Sequence, residues 1–498
     1  MIFIKLCQGV AAMIVNSNLI EQFKHDDNNN WRHLRDYQHQ AVTACRQVFS
    51  QGFKYPLLVM PTGAGKTTSA SYMIDQAAQR GNNVLILVHR RELVKQFSEA
   101  LTNYGVEHGL ITAKDPMNLR RKVQVASSQT LVRRMQKIAW MPSFIVIDEA
   151  HHATEGSGWG QIIERYPFAR ILGLTATPIR LDGKGLGIGH GGYFDSMVLG
   201  PSPSFLMERG NLCNYRFFGT GQPVDMSGAK SSKGDWSRKE VEGRADKPAI
   251  TGNAVQHYAK YALGKRAAVF TSSRAHAEHV AAEFRSQGHN FVVVDGTLDD
   301  VERDRRIGDL SAHKIDGIVT VDLISEGFDL PAIECAISLR PTKSISLWIQ
   351  QLGRVLRPAP GKDHAIILDH VGNAVLQGLG LPDDDREWSL EGMVKKGGKK
   401  KEIEPDGPMQ CEKCFCVFRP KFNRCCPDCG FVPEVQSREI EVVEGELEEI
   451  DVNAIRIERR KRMSACKTLE DYQALAKELG YKQGWARVQM ELRQKYKR

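Results

Sequence analysis

The sequence predicts an α/β protein: two parallel sheets in tandem, each with helices on both faces, followed by a small cysteine-rich module and a charged helical tail. Three observations carry this. Short apolar runs alternate with helix-length segments from Leu34 to about Gly210, and again over about Ala249–Asp369. A glycine-rich strand–helix turn interrupts the first rhythm only. Two Cys-x-x-Cys pairs stand beyond the second.

Residues 1–30 open with an apolar stretch, Met1–Ile20, broken by Gln8 and Gly9 and followed by the Asn-rich His25–Asn30. They are expected to be an extension ahead of the folded body, with Met13 an alternative start. Residues 31–210 form the first lobe, on the runs Leu57–Met60, Val84–Val88, Val123–Ala126, Ile145–Ile147 and Ile171–Leu174. Residues 211–248, rich in Gly, Ser and Lys, read as a linker with an inserted loop. Residues 249–375 form the second lobe, on Ala267–Phe270, Phe291–Val294, Ile318–Val321, Ala336–Leu339 and Ala365–Leu368. A basic linker (376–408), the cysteine module (409–433) and the tail (434–498) follow; in the tail Thr468–Asp471 reads as a capping box opening a helix.

At 498 residues the chain is too long for one core and suggests about three domains. Its 42% hydrophobic and 26% charged content is ordinary for a globular protein, and a net charge of +9 permits a nucleic-acid partner without demanding one. No apolar run is long enough to cross a membrane.

Chemistry enters at Pro61-Thr62-Gly63-Ala64-Gly65-Lys66-Thr67-Thr68, a turn whose backbone N–H groups and lysine suit nucleotide phosphates. Met60 stands where the strict pattern has its first glycine. Asp148-Glu149-Ala150-His151 follows the apolar Phe144–Ile147, so both carboxylates lie at the carboxyl end of a buried strand, where open α/β sheets bind ligands. Together the two strings imply Mg²⁺-dependent ATP hydrolysis. Lys66 is expected on the β- and γ-phosphates, Thr67 and Asp148 on Mg²⁺, and Glu149 as the base or orienter of water.

The second lobe lacks a phosphate cradle but carries Gln350, Gly353, Arg354 and Arg357, spaced to share one helix face. Arg354 and Arg357 are expected to reach the triphosphate as arginine fingers. Glycine at position 353 costs a helix about 1 kcal/mol and argues against an ordinary solvated face. Gly187–Gly192 formally matches a dinucleotide fingerprint, but no strand precedes it; it is expected to be a mobile loop.

Six of the eleven cysteines lie between Cys411 and Cys429. Cys411, Cys414, Cys426 and Cys429 have zinc-ribbon spacing, and four thiolates suit structural Zn²⁺. Cys416 and Cys425 are spare, with Cys425 an alternative ligand and an iron–sulfur cluster an alternative occupant. An ATPase with free thiols implies a reducing compartment.

With these residues in hand, the chain resembles the superfamily 2 helicases of the DEAD/DEAH-box type, particularly the bacterial and phage group similar to RadD and the restriction-enzyme helicases. The resemblance covers about residues 34–373. Leu34-Arg35-Asp36-Tyr37-Gln38 resembles the adenine-reading motif, which implies roles for Arg35 and Gln38. The cradle matches motif I in the form this superfamily uses, Asp148–His151 matches motif II, and Thr175-Ala176-Thr177 matches motif III. His89-Arg90-Arg91-Glu92-Leu93 and Ser127-Ser128-Gln129-Thr130 are similar to motifs Ia and Ib, and Phe270–Arg274 to motif IV. Ser325–Pro331, with Gly327 and Asp329, matches motif V, and Gln350–Arg357 motif VI.

The resemblance implies two RecA-like lobes closing on ATP. It implies nucleic-acid contacts from His89, Arg90, Ser128, Gln129, Thr130, Ser272 and Arg274, nucleotide contacts from Gly327, Asp329 and Gln350, and work in a bacterial or phage-infected host cytoplasm. The expected activity is an ATP-dependent DNA helicase or duplex translocase in repair, recombination or replication, binding DNA without reading its sequence. An RNA helicase, or an ATP-switched binding module, is the alternative.

Overall fold

The computed structural model describes residues 3–7, 10–14, 34–180, 183–220, 224–232, 235–321, 333–375, 377–392, 408–411, 413–419 and 425–432, and, near the end of the chain, 462–463, 465–466, 468–478, 486 and 490. Lobe 1 is built on nine strands: β1 (Phe3–Cys7), β2 (Val10–Ile14), β3 (Pro56–Val59), β4 (Val84–Val88), β5 (His108–Ile111), β6 (Val123–Ser127), β7 (Phe144–Ile147), β8 (Arg170–Thr175) and β9 (Ser196–Leu199). Their order is β1-β2-β9-β3-β8-β7-β4-β6-β5, parallel throughout except for the β1–β2 hairpin.

Successive residues of β3 and β4 feed two core layers. Leu58, Ile86 and Val88 join one, and Leu57, Leu85 and Leu87 the other. Both faces are covered, which is why these strands read as unbroken apolar runs. Helices α1 (Asp36–Ser50), α2 (Lys66–Gln79) and α3 (Arg91–Asn103) supply Ala41, Ile74 and Phe97 to the first layer. Helices α4 (Ser128–Arg134) and α5 (Gly158–Arg165) supply Leu131 and Ile162 to the second, and α6 (Pro203–Glu208) closes the lobe.

Lobe 2 begins earlier than the sequence suggested. The expected linker contributes β10 (Asn214–Gly219), a small hairpin of β11 (Ser231–Ser232) and β12 (Asp235–Trp236), and helix α7 (Arg238–Ala245). After α8 (Pro248–Tyr261) come β13 (Ala267–Thr271), α9 (Arg274–Ser286), β14 (Phe291–Val294), α10 (Asp300–Ser311), β15 (Gly317–Val321), β16 (Cys335–Ser338), α11 (Ile345–Val355) and β17 (His364–Asp369). The sheet order is β10-β17-β16-β13-β15-β14, all parallel. The apolar pair Phe217 and Phe218 anchors β10 in two core layers, so the segment is a strand rather than a linker.

Three other expectations are corrected. The stretch expected ahead of the folded body supplies β1 and β2, with β2 paired to β9 at the sheet edge. Residues 377–392 of the expected basic linker are packed: the Trp348 indole N–H donates to the Gly380 carbonyl at 3.0 Å, and Leu390 is buried in lobe 1. The glycine stretch expected to be mobile receives that segment. Gly187 N–H donates to Leu390 O at 2.8 Å, Leu186 and Phe194 are buried, and a Cβ at Gly185 would lie 2.0 Å from the Leu390 carbonyl oxygen. Backbone-to-backbone approach, not looseness, explains glycine there.

The short strands β18 (Met409–Gln410) and β19 (Val417–Phe418) form the cysteine module's hairpin. Residues 434–498 are a separate compact unit. It holds α12 (Leu469–Glu478), opened by a reciprocal cap: Thr468 N–H donates to Asp471 Oδ2 (2.8 Å) and Asp471 N–H to Thr468 Oγ1 (3.2 Å). Among the described residues no helix is long and apolar enough to cross a membrane.

Candidate nucleotide site and cysteine centre

Strand β3 is followed by Met60, whose buried side chain packs so closely on Gly200 that a Cβ there would lie 2.6 Å from Met60 Cγ. An apolar anchor thus does the tethering at the start of the turn. Gly63 (φ +87°) and Gly65 (φ +82°) then adopt the left-handed region, which only glycine enters freely. Gly65 is the N-cap of α2 and no side chain caps the helix, so its first N–H groups face the turn with a positive helix end behind them. Lys66 Nζ donates to the carbonyls of Met60 (3.1 Å) and Pro61 (3.3 Å), and burial pushes its pKa down against the opposing pull of Glu149 and Asp148.

Gln38 is buried and committed to this turn. Its amide oxygen accepts from the Arg35 N–H at 2.9 Å and its NH₂ donates to the Ala64 carbonyl at 3.1 Å. Arg35 donates to Tyr37 Oη at 3.0 Å.

At the end of β7, Asp148 is buried, and burial followed by the Glu149 charge pushes its pKa up to about 7, against the pull of Lys66. The buried Asp148 carboxyl, with the part-buried Glu149 next to it in sequence, is a hard-oxygen donor set of the kind a divalent cation takes. Glu149 takes the left-handed conformation (φ 49°), uncommon outside glycine, which redirects the chain after Asp148. Its Oε2 is buried without a hydrogen bond, 3.4 Å from His151 Nδ1. His151 Nδ1 is also 3.2 Å from Thr175 Oγ1. That hydroxyl donates to the Thr177 carbonyl (3.0 Å), so the proton between it and His151 belongs to the imidazole. The Thr177 hydroxyl in turn meets Ser346 Oγ of lobe 2 at 2.7 Å.

Helix α11 closes the site from lobe 2. Gly353 is required by contact, since a Cβ there would lie 2.5 Å from Thr62 Cβ of the cradle. Gln350 and Arg354 are buried on that face. Arg357 follows the helix end, its Cγ 3.7 Å from where a Cβ on Gly63 would stand. Both arginines act electrostatically on Lys66. The structure therefore gathers Thr62, Gly63, Ala64, Gly65, Lys66, Asp148, Glu149, Gln350, Arg354 and Arg357 around one interlobe cleft; Gly327 and Asp329 lie outside the described residues.

The expected strand-binding residues divide. Gln129 is exposed, and Arg90 and Thr130 are half-buried. Arg274 is largely exposed and pairs with Asp295 at 3.3 Å. Ser128 and Ser272 are buried, and Ser272 Oγ is 2.9 Å from His276 Nδ1, so these two hydroxyls are not presented to a strand. The His89 ring stacks on His152 at 5.2 Å. Sequence reasoning missed Ser346 and the pairs Arg303–Glu92 (2.8 Å) and Arg91–Asp300, which join α10 to the start of α3. The one legible signal was the acid and base adjacent in motif Ia.

The four Sγ atoms of Cys411, Cys414, Cys426 and Cys429 lie within 4.8 Å of one another. The Cys411–Cys429 and Cys414–Cys426 distances are both 3.5 Å. The two knuckles repeat each other: Phe415 N–H donates to Cys411 O and Gly430 N–H to Cys426 O, each at 2.9 Å, with Phe415 (φ +61°) and Gly430 (φ +70°) both left-handed. This closed, all-thiol arrangement fits a zinc ribbon. Cys416 and Cys425 stand outside the set. The module leans on lobe 2: Phe218 bridges to Cys416 and Gly219 N–H donates to Phe415 O at 3.0 Å.

Two RecA-like lobes with a phosphate cradle, an acidic pair and arginines converging on one cleft define a nucleotide hydrolase whose site is completed by closure. The family model described as "Type III restriction enzyme, res subunit" matches residues 32–180, and "Helicase conserved C-terminal domain" matches residues 251–359. A 51.5 kDa protein of a Lactococcus phage is 31% identical over 404 residues, covering 80% of this chain and 83% of that one. The Type I restriction enzyme EcoKI endonuclease subunit of Escherichia coli is 27% identical over 395 residues; the match takes in 66% of this chain and 33% of that protein. Among solved structures, the ATP-dependent Type ISP restriction-modification enzyme LlaBIII bound to DNA is similar in fold (TM-score 0.52, 18% identity, 70% of this chain, 29% of that chain). The chain belongs to the superfamily 2 helicases and is a nucleic-acid-dependent ATPase of that group.

Proposed function

We propose that this chain is an ATP-driven DNA helicase or duplex translocase that acts in DNA repair, recombination or replication. The observation that carries the motor reading is the convergence of Lys66 and the Asp148–Glu149 pair from lobe 1 with Arg354 and Arg357 from lobe 2, because hydrolysis then requires, and reports, closure of the lobes. DNA is preferred over RNA on kinship: one relative is a restriction-enzyme subunit and a neighbour in fold carries DNA.

In this reading Lys66 and the α2 N–H groups hold the β- and γ-phosphates, while Thr67 and Asp148 hold Mg²⁺, which supplies charge neutralisation when bound. Glu149, whose Oε2 lies 3.4 Å from His151 Nδ1, accepts the proton of the attacking water. Arg354 and Arg357 stabilise charge on the transferring phosphoryl group. Gln38 and Arg35 border the base, and Arg90, Gln129, Thr130 and Arg274 touch strand phosphates, a contact that positions without reading bases. Zn²⁺ occupies the four-cysteine centre.

The test is ATP turnover in the presence of single-stranded DNA, duplex, forked DNA or RNA, for wild type and Lys66→Ala. Stimulation by DNA, abolished in Lys66→Ala with the fold retained, is expected. Stimulation by RNA alone overturns the DNA reading; turnover that survives Lys66→Ala overturns the site.

A further inference from the structure

Lys362 is a buried lysine and, among the described residues, no carboxylate is hydrogen-bonded to its ammonium. Instead Nζ donates to three carbonyls: Ile333 (2.7 Å), Arg357 (2.9 Å) and Val355. Val355 is the last residue of α11, and Arg357 lies just beyond it. A helix end leaves its final carbonyls without intrahelical donors, and a cation there also meets the negative end of the dipole. The third carbonyl belongs to the root of β16, so the ammonium ties the end of the arginine-bearing helix to the lobe 2 sheet. Cys213 completes the clamp, its N–H donating to Leu356 O at 2.8 Å and its thiol to Arg357 O at 3.6 Å. Three consecutive carbonyls across the turn that aims Arg357 are therefore fixed. The chain returns to Lys362 through Pro358, Pro360 and Gly361, the last left-handed at φ +74°.

We propose that Lys362 is the positioning residue for the arginine pair: its ammonium locks the turn after α11 so that Arg354 and Arg357 arrive over the phosphate cradle without search. The inference rests on the finger reading given above for those two arginines. An ammonium is costly to bury unless its hydrogen bonds are met, and three matched acceptors meet them. Only the protonated amine has three N–H groups to give. Burial pushes its pKa down to about 8; Cys213 and Glu334 act to raise it, and Arg266 and Lys265 to lower it. The lock is therefore complete well below pH 8, half released near that value, and lost as pH rises further.

The experiment is steady-state ATP turnover of the full chain at saturating nucleic acid, for wild type, Lys362→Met, Lys362→Arg and Arg357→Ala, with thermal melts alongside. A misplacement of about 1 Å at a reacting group costs on the order of a hundredfold, so Lys362→Met is expected to lose about that in kcat while KM for ATP moves little. Wild type is expected to show an alkaline fall in kcat with its midpoint near 8, which Lys362→Arg, always charged, abolishes. Full kcat in Lys362→Met alongside loss in Arg357→Ala overturns the proposal and leaves the finger reading standing. Full kcat in Arg357→Ala overturns both. Should Lys362→Met fail to fold, an alkaline limb that persists in Lys362→Arg assigns the titration elsewhere and overturns the proposal.

Discussion

Each lobe has a buried strand running into a helix in mid-sheet, β3 into α2 in lobe 1 and β13 into α9 in lobe 2. The two junctions are finished in opposite ways. In lobe 1 the N-cap is Gly65, in the left-handed region, and no side chain caps the helix. In lobe 2 the N-cap is Ser273, whose hydroxyl accepts from the His276 N–H at 3.1 Å. The contrast extends further. Helices α2 and α3 of lobe 1, which follow β3 and β4, have no side-chain cap, whereas α9, α10 and α11 of lobe 2 are capped by Ser273, Asp299 and Ser344. A side-chain cap takes one of the first four N–H groups and sets its own oxygen at the helix start, where a phosphate oxygen would otherwise sit. Capping does not divide the lobes as wholes, since Ser157 and Ser202 cap α5 and α6 of lobe 1 while α7 and α8 of lobe 2 have no side-chain cap; the difference lies at the helix starts beside the cradle, where lobe 1 offers backbone and α11 of lobe 2 offers side chains.

The largest break in that comparison is expected from Gly65→Ala. Alanine would be held at φ +82° with its Cβ 2.2 Å from Gln38 Nε2, so either the turn or the glutamine must move. Left-handed strain alone costs about 1–3 kcal/mol. ATP affinity is expected to fall by about a hundredfold, which is about 2.8 kcal/mol. Calorimetric titration with a non-hydrolysable analogue measures it, and unchanged affinity would show that the open helix start is not what holds phosphate.

What the sequence made legible follows the same division. The cradle, the acidic pair and the arginine helix were readable because each couples a residue type to fixed local spacing. Gly353 was noticed as a cost to its helix, but the reason, Thr62 on the other lobe, is a tertiary contact. The segment that forms β10 looks like linker in the sequence because its apolar content is only Tyr215, Phe217 and Phe218 among polar neighbours. Residues 377–392 carry Pro382 and a run of acids that look like solvent-facing chain, yet Leu390 finds its place in the lobe 1 core, its carbonyl against Gly185 and Gly187. Ser128 and Ser272 were drawn toward the strand by their motifs, although the short side chain of Ser272 is turned inward onto His276. Lys362 gave no signal at all, because its partners are backbone carbonyls, and any residue has those.

A smaller effect is expected where lobe 2 carries something lobe 1 lacks. The cysteine module lies along the β10 edge through Phe218, Gly219 and the Arg216–Asp428 ion pair. Cys429→Ser is expected to release one zinc per chain and unfold the module, since structural zinc supplies the folding energy of so small a unit. Amide hydrogen exchange should then rise along β10 and remain unchanged along β3, β4 and β7. Protection of β10 that survives metal loss would make the module a passenger; purified protein without zinc, or with iron and visible absorbance, would refute the zinc assignment itself.

The smallest effect tests the capped side of the comparison. Ser273→Ala removes the hydroxyl that accepts from His276 N–H and so leaves the α9 start open, the state that α2 shows naturally. Loss of an N-cap serine costs about 1 kcal/mol, readable in urea denaturation as a lower midpoint with an unchanged slope. Opening this helix start should not create a second nucleotide site, because β13 is followed by Ser272 and Ser273 rather than by left-handed glycines, and the buried Ser272–His276 contact fills the space beneath. KM for ATP should therefore stay at the wild-type value. If Ser273→Ala instead shifts KM, the α9 start lies within reach of the nucleotide, and capping is not what separates the work of the two lobes.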